Sequence, residues 1–334
     1  MSAQDNKIDF LAIGDIITDL FIRLKDANVH CDIDKENCQI CMPFGAKIPF
    51  EAVYVTIAAG NVGNAAYSAA KLDLNATIVC SVGDDRNGED CIETLKERKI
   101  STDFVTIQKG KKTNYSYVLW FQDERTILRK HEEFSYKLPN IGNPKLVYFS
   151  SISESAYPFH NEVVEHMEKN SDIMFVFQPG SPEIKLGTEK LKRVYARADI
   201  FFCNVEEAKE ILGVDKLEIT EILKRMHDLG PKTVVITDGV KGAYAFDGQN
   251  MWKQMPYPDP KPPLERTGAG DAFSSTTAIS ILLGNDLPTA LSWGAVNSMS
   301  VVQYVGGQEG LLSREKLEEY LKNAPEDFKA KKIN

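Results

Sequence analysis

No stretch of this chain approaches the roughly 20 apolar residues of a membrane span, and the first apolar stretch, Ile8 to Ile13, is long enough only for a strand. Basic charge is in deficit: 39 Lys and Arg face 48 Asp and Glu, a net charge of −9, over 334 residues. The long-range field therefore repels nucleic acid and anionic membrane, and an anionic ligand has to be held by local geometry. Cysteine is scarce, at six residues, and a chain of this length buries about 75% of its unfolded surface and needs no disulfide staples. Met1 to Lys7 has no basic region and no small-residue cleavage site, so the chain reads as cytosolic. In that compartment the cysteines are expected as thiols or metal ligands rather than disulfides. Two phosphate-binding signatures are also missing. Gly110-Lys111-Lys112-Thr113 fails the spacing of a P-loop, and Gly14 is followed by Asp15, Ile16, Ile17 and Thr18 rather than by a Gly-x-Gly-x-x-Gly loop.

What is present is alternation. Short apolar runs suited to buried strands (Ile8 to Gly14, Ala76 to Val82, Lys145 to Phe149, Ile173 to Phe177, Asp199 to Cys203, Thr233 to Thr237) are interleaved with helical patterns (Asn61 to Leu74, Gly88 to Lys99, Phe159 to Asn170). Strands alternating with helices imply an α/β domain with a mostly parallel central sheet covered on both faces. Two segments, about 21–57 and 114–130, break the rhythm with β-branched and aromatic residues; they predict a small β-sheet projecting as a lid from a single domain spanning 1–334. Tyr115, Tyr117, Leu119 and Phe121 share one parity and would form its covered face. After Met255 helices are expected over Ala269 to Leu283, Leu287 to Val305 and Arg314 to Asn323, with the basic tail Lys329, Lys331 and Lys332 solvated and frayed.

The most informative segment is Glu265-Arg266-Thr267-Gly268-Ala269-Gly270-Asp271-Ala272-Phe273, which runs into a strongly helical pattern. Small residues at a helix N-terminus let backbone N–H groups converge on an anion. Asp271, inside that turn, is suited to remove a proton from an attacking hydroxyl. The alternative is a tight turn in which Asp271 only caps the helix.

Three further motifs follow in order: Ala59-Gly60-Asn61-Val62-Gly63-Asn64, Ser81-Val82-Gly83-Asp84-Asp85-Arg86-Asn87-Gly88, and Thr237-Asp238-Gly239-Val240-Lys241-Gly242. Together with the Gly-Ala-Gly-Asp loop, the series resembles the ribokinase-like (PfkB) family of carbohydrate kinases, from about Ile8 to Leu321. The resemblance implies a ribokinase-like three-layer α/β/α fold and transfer of a phosphoryl group from ATP, with Mg²⁺, to a hydroxyl of a sugar or related polyol. It implies Asp271 as catalytic base, with the N–H groups of Gly268, Ala269 and Gly270 as the anion hole. Asn204 and Glu207 match an Asn-x-x-Glu motif near the phosphates, Glu207 serving Mg²⁺ through water; Asn204 alone also reads as a helix cap. Thr237, Gly239 and Gly242 match the nucleotide loop, and Ala295 and Asn297 fall where the family packs against adenine, a position more commonly filled by core residues.

On the acceptor side, Asp19 matches the sugar-binding carboxylate, and Gly60 and Asn64 a second sugar contact, with Asn61 where ribokinases carry lysine. Many members that use a monovalent cation have Asp where Glu265 stands, which leaves open an ion at Glu265 or positive charge supplied by Arg266. Related kinases often pair through the lid, so a homodimer is expected. A nucleoside kinase of the same superfamily and a catalytically idle sensor are the alternative functions.

Two clusters invite other readings. His30, Cys31, Cys38 and Cys41 have zinc-like spacing, but His30 and Cys31 would point to opposite strand faces, so ordinary reduced cysteines without zinc are expected. Lys111, Lys112, Arg125, Arg129 and Lys130 suit either an anionic substrate such as a sugar phosphate or a charge-protected strand edge, and the edge is favoured.

Overall fold

The structure is a computed structural model that describes residues 7–31, 38–122 and 124–333. The chain opens with β1 (Phe10–Ile13) and β2 (Ile17–Leu24), then a hairpin of β3 (Asn28–His30) and β4 (Gln39–Cys41), then the long β5 (Phe50–Ala59). It continues through α1 (Gly60–Lys71), β6 (Ala76–Gly83), α2 (Arg86–Glu97), β7 (Ser101–Gln108), β8 (Tyr115–Phe121) and β9 (Glu124–Lys130). Next come β10 (Leu146–Phe149), α3 (Tyr157–Lys169), β11 (Met174–Phe177), the short α4 (Ser181–Leu186) and α5 (Lys192–Arg197), β12 (Ile200–Asn204), α6 (Val205–Leu212), α7 (Ile219–Asp228) and β13 (Thr233–Thr237). The last part holds β14 (Ala243–Phe246), β15 (Met251–Gln254), α8 (Ala269–Leu282), α9 (Leu287–Val301), α10 (Arg314–Lys322) and β16 (Lys331–Ile333).

Ten strands form the main sheet in the order β16-β15-β14-β13-β12-β11-β10-β1-β6-β7, parallel from β13 to β7 and antiparallel from β13 to β16. β1 and β10 are buried at every residue, as strands covered on both faces must be. Alternate side chains sort into two cores. Phe10, Ala12, Leu146 and Tyr148 join α1, α8 and α9 on one face, whereas Leu11, Ile13, Val147 and Phe149 join α3, α5 and α7 on the other. This is the three-layer arrangement expected from the alternation.

The second sheet has the order β5-β2-β8-β9, and among the described residues β3 and β4 pair only with each other. Three sequence expectations are corrected. The tail Lys331–Ile333 is a strand, β16, because it finds the free edge of β15. In β8 the covered parity is Ser116, Val118 and Trp120, while Tyr117 is exposed; the aromatic set lies on the outer face because the register places Ser116 opposite Asp19. α9 stops at Val301, four residues early, and the chain turns through Gly306, whose φ of 81° suits glycine.

The cysteine expectation is also overturned. Cys31 and Cys38 form a disulfide, with Cα atoms 4.0 Å apart. The β3–β4 pairing places His30 opposite Gln39 and so brings the two flanking cysteines together. Cys41, Cys80, Cys91 and Cys203 are free thiols. Among the described residues no group of three or more His, Cys, Asp or Glu is placed to hold a metal ion, and no helix is long and apolar enough to cross a membrane.

Candidate active site

The carboxyl ends of β1, β10, β11, β12 and β13 open toward the N-terminus of α8, the position where open α/β sheets bind ligands. Gly268 caps α8 with a φ of 79°, and a Cβ there would lie 2.2 Å from Gly307 Cα. Gly307 in turn abuts Asn64, so that a Cβ on it would fall 2.6 Å from Asn64 Nδ2. Only glycines allow the late loop, the α8 turn and α1 to stack this closely. The packing leaves Gly270 with open space where its side chain would be, and the first N–H groups of an α-helix have no intrahelical acceptor.

Asp271 occupies the first turn of α8 and ties three elements together. Its Oδ1 accepts from Asn61 Nδ2 (3.1 Å) and Gln178 Nε2 (3.1 Å), and its Oδ2 from Asn64 Nδ2 (2.8 Å). Burial pushes its carboxyl up from the ordinary value, opposed by the Asn64 and Gln178 amides, the Arg129 guanidinium and Asn61. Asn61, standing where ribokinases carry lysine, is thus a partner of Asp271. Gln178, just beyond β11, has no counterpart in the sequence reading. Its Oε1 accepts from Tyr148 Oη and from Ser274 Oγ (3.1 Å), and those two oxygens are themselves 2.7 Å apart. The two hydroxyls fix which end of the amide faces Asp271. Asn64 Oδ1 is buried and has no partner among the described residues, an acceptor left over beside Asp271.

The second sheet contributes a row of side chains. Its registers set Thr56 opposite Asp19, Asp19 beside Ser116 and Ser116 opposite Arg129, so all four belong to one face. Ser116 Oγ donates to Asp19 Oδ1. Burial raises the Asp19 carboxyl, opposed by Ser116 and Arg129 and reinforced by Asp271 and Glu265. These mutual effects place Asp19, Asp271, Glu265 and Arg129 in one electrostatic neighbourhood. Gly60, with a φ of 83°, starts α1 where a Cβ would be 3.2 Å from the Asp15 carbonyl, pressing the helix against the β1–β2 turn.

Glu265 ties down the loop ahead of α8. Its Oε1 accepts from Thr267 N (2.8 Å) and Oγ1 (2.6 Å), and Oε2 from Gly306 N (3.4 Å). The nearby cation is Arg125 of β9, with Nη1 3.6 Å from Glu265 Oε1, and not Arg266, which lies exposed. Arg125 thus joins the second sheet to the loop ahead of α8.

A cavity of about 540 Å³ runs from Asn204, Thr237, Gly239 and Gly242 to Gly270 and Ala295. At Gly242, with a φ of 94°, a Cβ would stand 2.1 Å from the Gln254 carbonyl, so only glycine lets β15 approach. Ala295, Ser298, Met299 and Val302 line the wall at helical spacing. Asn297 does not: two residues from Ala295 it points half a turn away, fully buried, donating to Thr276 Oγ1 (2.7 Å) and accepting from Leu312 N (3.0 Å). Asn204 and Glu207 form a reciprocal capping box on α6, at 2.8 and 2.9 Å, so the helix-cap reading of Asn204 holds and Glu207 completes the cap. Burial nevertheless raises the Glu207 carboxyl, with Asp271 adding to the rise. In the Ser81–Gly88 motif, Asp85 caps α2 and accepts from Thr113, while Asp84 accepts from Gly110 N.

The family described as pfkB family carbohydrate kinase matches residues 27–314, most of the chain. The chain belongs to this family. It is a carbohydrate kinase, a phosphotransferase with an alcohol group as acceptor. The kinase is 27% identical over 320 residues to the ATP-dependent 6-phosphofructokinase of Thermoanaerobacterium thermosaccharolyticum, covering 91% of this chain and 90% of that one. It is 26% identical over 278 residues to a ribokinase of Bacillus subtilis, covering 80% and 89%. In fold it matches the structure of Arabidopsis thaliana ribokinase complexed with ribose and ATP, with a TM-score of 0.77 at 19% identity over 95% of this chain and 99% of that one.

Proposed function

We propose that the kinase transfers the γ-phosphoryl group of ATP to a hydroxyl of a sugar or related polyol held between Asp19 and Asn64, with Asp271 as base. The observation that carries this reading is the position of Asp271. It lies in the α8 first turn, at the end of the nucleotide-sized cavity and in hydrogen-bond contact with Asn64 of the acceptor side. The acceptor hydroxyl gives its proton to the Asp271 carboxylate as its oxygen bonds to the γ-phosphorus; the bond from that phosphorus to the bridging oxygen breaks, and ADP leaves. The N–H groups of Gly268 and Gly270 would then face the charge that develops on the phosphoryl oxygens, while that of Ala269, included with them in the sequence reading, is turned to the Arg266 carbonyl at 3.4 Å. The orphan Asn64 Oδ1 and the second oxygen of Asp19 suit acceptor hydroxyls, which donate. Gln178 positions Asp271.

Thr237, Gly239, Gly242 and Ala295 would surround ATP. Mg²⁺ fits the hard oxygen donors of Glu207 and Asn204, Glu207 acting through water, and would neutralise phosphate charge. Arg125 takes the positive role at Glu265 that an ion fills in cation-using relatives. We place the enzyme in the cytoplasm, as a homodimer through the outer face of the second sheet, where Val53, Val55, Tyr117 and Leu128 are exposed. Light scattering near 37.3 kDa would reject the dimer.

An ATP-consumption screen against pentoses, hexoses, keto-deoxy sugar acids, sugar phosphates and nucleosides tests the activity. Turnover of a sugar-class acceptor that vanishes in Asp271→Asn supports it. Turnover of nucleosides alone gives the nucleoside-kinase alternative, and silence across the panel a sensor.

A further inference from the structure

Arg266 has no part in the contacts described so far, since the cation at Glu265 is Arg125. The loop that carries it is pinned on both sides. Leu264 N and Glu265 N donate to the Val302 carbonyl, at 2.8 and 3.3 Å, and the buried Glu265 side chain accepts from Thr267 and from Gly306 N. With Glu265 turned inward, the next side chain, Arg266, lies on the wall of the cavity of about 540 Å³, beside Ala269 and Gly270 at the start of α8.

Among the described residues that line this cavity, Arg266 is the one Lys or Arg and Asp259 the one Asp or Glu. Asp259 accepts from Gln303 Nε2 at 3.5 Å and forms no ion pair with Arg266. The guanidinium makes no hydrogen bond or ion pair with any described residue. It therefore brings five unspent donors, in a planar fork, to a cavity that is otherwise neutral apart from Asp259. The α8 turn beside it is short of one donor, because the Ala269 N–H is turned to the Arg266 carbonyl at 3.4 Å.

We propose that Arg266 binds the polyphosphate chain of the nucleotide donor and holds it against the α8 turn. This rests on the carbohydrate-kinase reading, which puts ATP in this cavity, and adds a side-chain cation to a phosphate site otherwise built from backbone N–H groups. A guanidinium fork matches two oxygens of one phosphate, as an ammonium point charge does not. The chain as a whole carries −9 and repels a polyphosphate, so the attraction has to come from a cation within the cavity. Glu265 and Arg266 thereby divide their work: the first faces Arg125 of the second sheet, the second faces the donor.

The test is titration calorimetry of ADP with Mg²⁺, run beside steady-state kinetics on wild type, Arg266→Gln and Arg266→Lys. In Arg266→Gln the Kd for ADP and the KM for ATP should each rise about 10- to 100-fold, the range that charge-assisted hydrogen bonds give, with the KM for the acceptor unchanged. Arg266→Lys should recover part of the loss. Increasing KCl should weaken ADP binding less steeply in Arg266→Gln than in wild type, because one charge has left the contact. ADP bound equally by wild type and Arg266→Gln, an acceptor KM that rises as much as that for ATP, or a salt dependence that does not change would overturn the inference and leave the kinase reading intact. ADP binding weakened in Arg266→Gln by a protein that phosphorylates no acceptor would uphold Arg266 as a polyphosphate ligand while the kinase reading fails. A wild type that binds no ADP would overturn both.

Discussion

The two halves of the cleft are built by different means. At the N-terminus of α8 the proposed binding groups are backbone N–H groups, presented because Gly268 adopts a φ of 79° and packs directly on Gly307. On the second sheet it is the side chain of Asp19, set by register in a row with Thr56, Ser116 and Arg129 from the other three strands. The first construction, proposed to hold phosphate, tolerates no added Cβ at Gly268. The second can exchange any one side chain while keeping the sheet, and so is where the proposed function puts acceptor choice. Asp271 stands at the seam, held from α1 and from the end of β11.

Removing the seam should have the largest effect. Asp271→Asn keeps the size of the side chain but removes the base, and a positioned general base contributes about 10²–10⁴ in rate. The expected result is a fall of that order in kcat with little change in the KM for ATP; more than about a tenth of wild-type kcat remaining, with chemistry rate-limiting, would move the base elsewhere.

Asp15 probes the junction, since it lies between β1 of the large sheet and β2 of the small one. Burial raises its carboxyl to about 7, against hydrogen bonds from Tyr136 Oη (2.7 Å) and Ser153 N (3.1 Å). The native state therefore keeps a proton that the unfolded chain releases near 3.8, so stability falls as pH rises between those values and levels off above about 7. The full shift corresponds to roughly 4 kcal/mol. Asp15→Asn should flatten the decline, gaining on wild type between pH 5 and pH 8 in urea unfolding; an unchanged pH slope would refute the assignment.

The side-chain half should respond in the acceptor alone. Asp19→Ala and Asn64→Ala each leave polar groups unpaired, at about 1–3 kcal/mol, so the KM for the acceptor should rise about tenfold or more while that for ATP holds. A rise in the ATP KM alone would reverse the assignment of the halves. Gln178→Leu should act more gently. It removes one hydrogen bond to the charged form of Asp271, so the carboxyl pKa rises and the acid limb of kcat/KM moves to higher pH; an unmoved limb would make Gln178 merely structural.

What was legible in the sequence follows the same division. The Gly268-to-Asp271 turn, the strand-end loop at Thr237 to Gly242 and the α/β alternation are contiguous, so local pattern carried them. Ser116 was invisible beside Asp19, and Arg129 read as part of a charge-protected strand edge, because the row that unites them exists only once strands β2, β8 and β9 are in register. Reading β8 from its aromatics chose the wrong face for that reason. Gln178 carries no local signature, and Asn297 failed because a two-residue step on a helix changes face. The Gly306-Gly307 doublet was a signal available in the sequence and passed over.

The smallest effect belongs to the hairpin that links β2 to β5. Among the described residues the hairpin of β3 and β4 pairs with neither sheet, and its Cys31–Cys38 bond closes a loop with a sequence separation of only seven. A short loop loses little chain entropy on closure, so opening the bond should cost at most about 2–3 kcal/mol, and less where the hairpin unfolds apart from the domain. Neither cysteine belongs to the cleft, and kcat should not change. Alkylation of the denatured, unreduced protein should modify the four thiols of Cys41, Cys80, Cys91 and Cys203, and all six cysteines after reduction. Modification of six without reductant would show the bond unformed, and loss of kcat in Cys38→Ser would tie the hairpin to the acceptor side after all.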